Sequence, residues 1–221
     1  MFNWHLGVKR AQYAKKCLSH KNNMINLPLK PLYVLPPLCL ILLSTFFAAF
    51  NLNDCLEFNR LLVTNGEYWR IFTSQFVHAN WPHLFLNCAG IFLIWALHAE
   101  HTSPFRYAFN IAVLALWCGL GVWLFCPDIY IYTGLSALLH GVIIWGSIKD
   151  VQAGLFSGWL LFVGTWAKVI WEQIAGPSDS VSQLIASNVA IDAHLIGALG
   201  GTVLALPVFI NVLKSTYKNS H

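Results

Sequence analysis

Six apolar windows follow one another along the chain with short polar connections, at residues 32–52, 82–99, 105–126, 132–148, 153–171 and 188–210. Each has about the 17 to 25 residues that a helix needs to cross roughly 30 Å of hydrocarbon. Lipid offers no water to backbone N–H and C=O groups, so such windows fold as helices or as a closed barrel. The alternation of apolar and polar residues that a barrel needs is absent. With 57% hydrophobic and 10% charged residues in 221 positions, the chain is also far more apolar than a soluble domain. The expected fold is all-α: a polytopic membrane protein with one six-helix membrane domain over residues 31–212, a basic arm at 1–30 and a short tail at 213–221.

The basic residues set an expected orientation. The arm carries Lys9, Arg10, Lys15, Lys16, Lys21 and Lys30, and no small-residue cleavage site follows it, which reads as an uncleaved signal anchor. Arg106, Lys149, Lys214 and Lys218 fall on the same side as the arm when the spans alternate, and the positive-inside rule makes that side cytoplasmic. Both termini are then cytoplasmic. Arg60 and Arg70 dissent, but they lie among Asp54, Glu57 and Glu67. The net charge of +4 is thus mostly topology and points to no nucleic-acid partner.

This orientation gathers polar residues at one face. The second, fourth and sixth windows run in the same direction. His83 and Asn87 open the second, Ser136 opens the fourth, and His194 stands about six residues into the sixth, within one or two turns of common depth at about 1.5 Å per residue. Polar groups held in hydrocarbon are costly and call for a function. Ser136 is a hydroxyl nucleophile candidate and His194 a base of fitting depth. His83 and Asn87, four apart on one helix face, are oxyanion donors of the kind worth about 3 to 4 kcal/mol each in a transition state. Asp192 is two residues from His194, on a different face, so no acid is well placed for a triad and a Ser-His dyad is the simpler arrangement.

Four short patterns in register resemble the rhomboid family of intramembrane serine proteases. Gly66-Glu67-Tyr68-Trp69-Arg70 is similar to that family's Trp-Arg element in the first external loop. The run His78-Ala79-Asn80-Trp81-Pro82-His83-Leu84-Phe85-Leu86-Asn87 matches its HxxxxHxxxN. Gly134-Leu135-Ser136-Ala137 resembles GxSG, and Ala193-His194-Leu195-Ile196-Gly197 with Gly201 resembles AHxxGxxxG. The resemblance implies a six-helix bundle in which Ser136 is nucleophile, His194 general base, and His83 and Asn87 oxyanion donors beside backbone amides. His78 and Arg70 would hold the external loop. It implies no cofactor and no metal, and its partners would be the lipid bilayer and a membrane-embedded substrate helix.

Two departures stand out. Ala137 replaces the second glycine of GxSG, and its methyl narrows the approach of a neighbouring helix or substrate. His140, four residues after Ser136, is able to pack against His194, to bond it, or to compete as base. The form Gly134-Leu135-Ser136-Ala137-Leu138-Leu139-His140-Gly141, with Lys168 and Glu172 near the outer end of the fifth window, looks most like the rhombosortase branch. That implies a bacterial inner-membrane endopeptidase, its site toward the periplasm, cleaving C-terminal Gly-Gly-type sorting tails of surface or secreted proteins. Transfer of the new carboxyl end to an amine-bearing, lipid-related acceptor is compatible with an acyl-enzyme. Lys168 and Glu172 read either as a mutually neutralising i,i+4 pair or as residues recognising substrate or acceptor. A generic rhomboid hydrolase of other single-span substrates and a non-catalytic, client-binding relative remain alternatives.

The remaining features have plainer readings. The six cysteines show no metal spacing; Cys55 and Cys126 alone are both expected near the outer face, where a disulfide is chemically allowed. His98 and His101 read as an inner-face turn without a metal partner. Gly197, Gly200 and Gly201 suit close helix packing.

Overall fold

A computed structural model describes residues 27–219. The basic arm through Lys21, with Cys17, lies outside the described residues, as do the last two positions of the tail. Six long helices occur in the expected order: α1 (Pro31–Ala49), α2 (Trp81–His98), α3 (Pro104–Phe125), α4 (Ser136–Gln152), α5 (Ser157–Ala175) and α6 (Ile191–Asn219). The protein is an all-α bundle. α1, α2 with its following turn, α3 and α6 are long and apolar enough to span a membrane by length and composition.

The fourth and fifth windows depart from expectation. α4 has 17 residues, 11 of them buried, including Asp150, so protein rather than lipid surrounds it and no long apolar exterior is required. It starts at Ser136 rather than at 132 because Ile131–Tyr132 is a strand, β2, paired antiparallel with β1 (Phe58–Asn59), and Gly134 then turns the chain at φ +115°. Gly154, at φ +81° just past the C-cap Ala153, ends α4 and moves α5 four residues past the expected start at 153.

α4 packs most extensively against α6. A side chain at Gly197 would collide with the Ala137 carbonyl, one at Gly201 with the Gly141 carbonyl, and one at Gly141 with the Gly197 carbonyl. Small residues four apart on both helices therefore bring the two backbones into contact, which is how helices associate where lipid supplies no hydrophobic drive. Ala137 is fully buried in this crossing, so the expected obstruction by its methyl does not hold α6 away.

The segment between α1 and α2 folds onto the bundle through two arginines. Arg60 donates to the carbonyls of Val122 (2.9 Å), Trp123 (2.8 Å), Cys126 (2.7 Å) and Ile129 (3.0 Å), in the last turn of α3 and the loop that follows it. Arg70, buried, donates to the Glu57 carbonyl (2.9 Å) and pairs with Glu67 (2.6 Å). Cys55 is exposed and Cys126 buried, and both are free thiols. At the far end, the turn after α2 meets α4: His98 Nε2 lies 3.3 Å from Asp150 Oδ2, and His101 Nε2 bonds Asp150 Oδ1. The turn after α2 thus has an acidic partner, 49 residues on from His101 and invisible to local spacing.

Two outcomes test this packing. Gly197→Val forces a branched side chain onto the Ala137 backbone, and such overpacking costs about 1 to 3 kcal/mol or more; the detergent-solubilised protein should melt several degrees lower, and an unchanged Tm would contradict the close crossing. His78 stands in the loop before α2, where burial and then the charge of His83 push its pKa down to about 3. The unfolded chain protonates it near pH 6.5 while the folded chain does not, so stability falls as pH drops from about 6.5 toward 3, by up to about 1.4 kcal/mol per unit. His78→Phe should show a shallower loss of Tm between pH 7 and pH 5 than wild type; equal slopes would contradict it.

Candidate active site

The α4–α6 crossing sets the first contact of the site. Ser136 is the first residue of α4, next to Ala137, and His194 lies one turn before Gly197 on α6. Seating Gly197 on the Ala137 carbonyl brings Ser136 Oγ to 3.0 Å from His194 Nε2, a hydrogen-bonding distance for a hydroxyl and an imidazole. At the N-terminus of α4 the first backbone N–H groups have no intrahelical acceptor, the feature that suits a helix N-terminus to an oxygen anion.

The turn ahead of Ser136 is pinned from three sides. Gly134 N–H donates to the Ser74 carbonyl (3.1 Å), and the buried Tyr132 hydroxyl donates to the Gly134 carbonyl (3.0 Å), with Gln75 Oε1 3.4 Å away. A Cβ at Gly134 would strike the His83 ring and lie 3.6 Å from Asn87 Nδ2. Glycine is needed here both for φ and for space, and the same contact shows that His83 and Asn87 of α2 reach the Ser136 turn. Asn80 caps α2, its Oδ1 accepting from His83 N–H (3.0 Å), while its amide donates to the Ile185 carbonyl in the α5–α6 connection. Asn87 Nδ2 donates to the His83 carbonyl (3.2 Å).

His78 lies behind His83 as seen from Ser136. Its ring meets His83 edge-on at 5.2 Å, and its carbonyl accepts from Asn53 Nδ2 (2.7 Å), which joins the α1–α2 segment to the head of α2. Arg70 stays in that segment and does not reach Ser136.

His140 stacks on His194 with centroids 4.3 Å apart at 22°. Its Nδ1–H donates to the Ser136 carbonyl (2.7 Å), so its proton is committed to backbone and its Nε2 is a bare acceptor. Packing, one of the roles open from sequence, is what the ring does. The nitrogen in contact with Ser136 Oγ belongs to His194, not to His140.

Glu172 overturns the expectation that no acid is well placed beside His194. From α5 its Oε2 accepts from His194 Nδ1–H (3.0 Å), and Lys168 Nζ donates to the same oxygen (2.8 Å) and to His140 Nε2 (2.9 Å). The i,i+4 ion pair expected at an interface is present, but it is built into the site. α5 runs opposite to α4 and α6, so its last turn meets their first. The available signal was two opposite charges near the end of an apolar window at the depth of His194, which call for a polar partner. One ligand atom from each of His140, Glu172 and His194 falls within 4.8 Å of the others, a set able to hold a metal ion, and the Lys168 ammonium stands among the three.

Two openings meet at Ser136 and His194. A polar cavity of about 480 Å³ lies toward the α1–α2 and α5–α6 segments, bordered by Asp54, Glu57, His83 and Asn188. Burial and the neighbouring Asp54 raise the pKa of Glu57 there, with Arg70 opposing. An apolar groove of about 570 Å³ runs between α2 and α5 over α4, bordered by Leu86, Leu93, Leu139, Ile143 and Leu160.

Residues 65–211 match the Rhomboid domain family. A relative in Bacillus subtilis (strain 168), named "Putative rhomboid protease YdcA", is 27% identical over 157 residues, which cover 69% of this chain and 73% of that protein. With a helical membrane bundle, a serine at the head of α4 in contact with a histidine of α6, and a family match across most of its length, the chain belongs to the rhomboid family of intramembrane serine proteases.

Proposed function

We propose that the protein is a serine endopeptidase that cleaves membrane-embedded helices through Ser136 and His194. The observation that carries this reading is the 3.0 Å contact between Ser136 Oγ and His194 Nε2 at the floor of two openings, one polar and one apolar. A substrate helix enters sideways along the α2–α5 groove, unwinds near small residues, and offers a carbonyl carbon to Ser136 Oγ. As the Oγ–C bond forms, the hydroxyl proton passes to His194 Nε2. The oxyanion is held by the His83 and Asn87 side chains with the Ser136 backbone N–H, Asn87 exchanging its bond to the His83 carbonyl for one to the substrate. Collapse breaks the C–N bond, and the proton on His194 goes to the leaving amine. Water enters from the polar cavity to release the acyl group.

The finer reading is that the substrates are C-terminal Gly-Gly-type sorting tails of surface or secreted proteins, with an amine-bearing, lipid-related molecule able to replace water as acceptor. Its support is the resemblance of the Ser136 segment and of Lys168 and Glu172 to the rhombosortase branch. Glycine at the cut also suits a mechanism in which a helical peptide bond must unwind. The Ser136 end would face the periplasm of a bacterial inner membrane, since Arg106 and Lys149 stand at the opposite ends of α3 and α4.

Co-expression with a Gly-Gly-tailed single-span model substrate, followed by intact-mass analysis, tests both levels. Wild type should remove the tail, and Ser136→Ala or His194→Ala should reduce removal by at least about 10³-fold. Removal at the wild-type rate by Ser136→Ala would sink the protease reading. Added mass on the new carboxyl end supports transfer, whereas a free carboxylate leaves a hydrolase.

A further inference from the structure

Within the reading above, five polar side chains at the Ser136 end form one connected network, and three of them, His140, Lys168 and Glu172, are not needed by a Ser-His dyad. Each hydrogen in that network has one consistent place. His140 gives its Nδ1–H to the Ser136 carbonyl and leaves Nε2 bare. Lys168 donates to that nitrogen and to Glu172 Oε2. A carboxylate only accepts, so its contact with His194 at 3.0 Å places the proton on His194 Nδ1. His194 Nε2 is then the lone-pair nitrogen, and it is the one facing Ser136 Oγ. The 3.3 Å separation between Lys168 Nζ and His194 Nδ1 is accordingly between two donors sharing one carboxylate.

We propose that Glu172 is the positioning residue of His194, completing a Ser136-His194-Glu172 triad spread over α4, α6 and α5, and that Lys168 is the tethered counter-ion that keeps Glu172 and His140 in place. The roles follow from the geometry. Glu172 selects the tautomer whose Nε2 can take the Ser136 proton, and it stabilises the imidazolium formed when that proton arrives. The Nδ1 proton stays on His194 throughout, so no charge leaves Glu172. Lys168 balances the carboxylate in the ground state and, through His140 Nε2, fixes the ring that covers one face of His194. The two acceptors that face each other here, Glu172 Oε2 and His140 Nε2, suit a cation, and the ammonium of Lys168 is that cation. Lys168 is half-exposed on the groove side while Glu172 is largely covered, so the carboxylate depends on the lysine more than the reverse.

The test is steady-state turnover of the Gly-Gly-tailed model substrate by purified wild type, Glu172→Gln, Glu172→Asp, Lys168→Met and Ser136→Ala in one detergent, with Tm recorded for each. Glu172→Gln should lower kcat by about 10² to 10⁴-fold with KM within about threefold, because a carboxamide neither selects the tautomer nor stabilises the imidazolium. Glu172→Asp should recover at least about tenfold of that loss, and Lys168→Met should lower kcat less than Glu172→Gln does. A structural ion pair would instead lower Tm in all three variants and leave kcat per folded molecule intact. Glu172→Gln with wild-type kcat, beside an inactive Ser136→Ala, overturns the triad and leaves the protease reading standing. Turnover by Ser136→Ala overturns both, whereas none by wild type overturns the Gly-Gly substrate reading. The triad is then judged by fluorophosphonate labelling of Ser136, which Glu172→Gln should slow by about 10²-fold or more; an unchanged rate would overturn the triad.

Discussion

The contact on which the rest of the site depends is the crossing of α4 and α6 at Ala137 and Gly141 against Gly197 and Gly201. Backbone meets backbone there, with no side chain between. The Ser136 hydroxyl and the His194 ring project from residues adjacent to that contact, and a hydrogen bond of 3.0 Å leaves little tolerance for a wider crossing. Rate in such a site is sensitive to displacement of the order of an ångström. A stripe of small residues thus sets the distance between the serine and the histidine, although none of them bears a reactive group.

Placing charge and open polar groups beside a lipid-facing groove creates a second problem, which the protein solves by connection. Lys168, Glu172, His140, His194 and Ser136 form one continuous chain of contacts, ending on the Ser136 carbonyl. Each buried polar group that finds a partner avoids a penalty of about 1 to 3 kcal/mol. The same device recurs elsewhere. Arg60 gathers four carbonyls at the end of α3, Arg70 pairs with Glu67 and a carbonyl, and Asp150 sits between His98 and His101. These clusters tie the irregular segment before α2, and the turn after it, to helices that otherwise pack through apolar and small side chains.

The long helices and the meeting of Ser136, His194, His83 and Asn87 at one end were legible from apolar windows and from the common direction of alternate spans. What escaped was pairing across helices. Along its own helix His194 has only Asp192 nearby, whereas its acidic partner is Glu172, 22 residues earlier on the antiparallel α5. Helical periodicity relates residues within a helix and does not report the rotation of one helix against another. Arg60 read as an exception to charge topology because its four acceptors are backbone groups, which no side-chain pattern reveals. The two-residue ladder of Phe58 with Tyr132 and Asn59 with Ile131 is too short to leave an alternation, yet it decides that α4 begins at Ser136.

Taken together, the small-residue crossing, the pinned Gly134 turn and the polar network converge on one atom, Ser136 Oγ, which we propose is made reactive by His194. That claim is independent of which substrate the groove receives. The most direct measurement is covalent labelling of the purified protein with a fluorophosphonate, read by intact mass and peptide mapping for wild type and His194→Ala. Single-site modification on Ser136 in wild type, with labelling at least about 10²-fold slower in His194→Ala, is the predicted result. Modification of another residue, or equal labelling of Ser136 without His194, would contradict it.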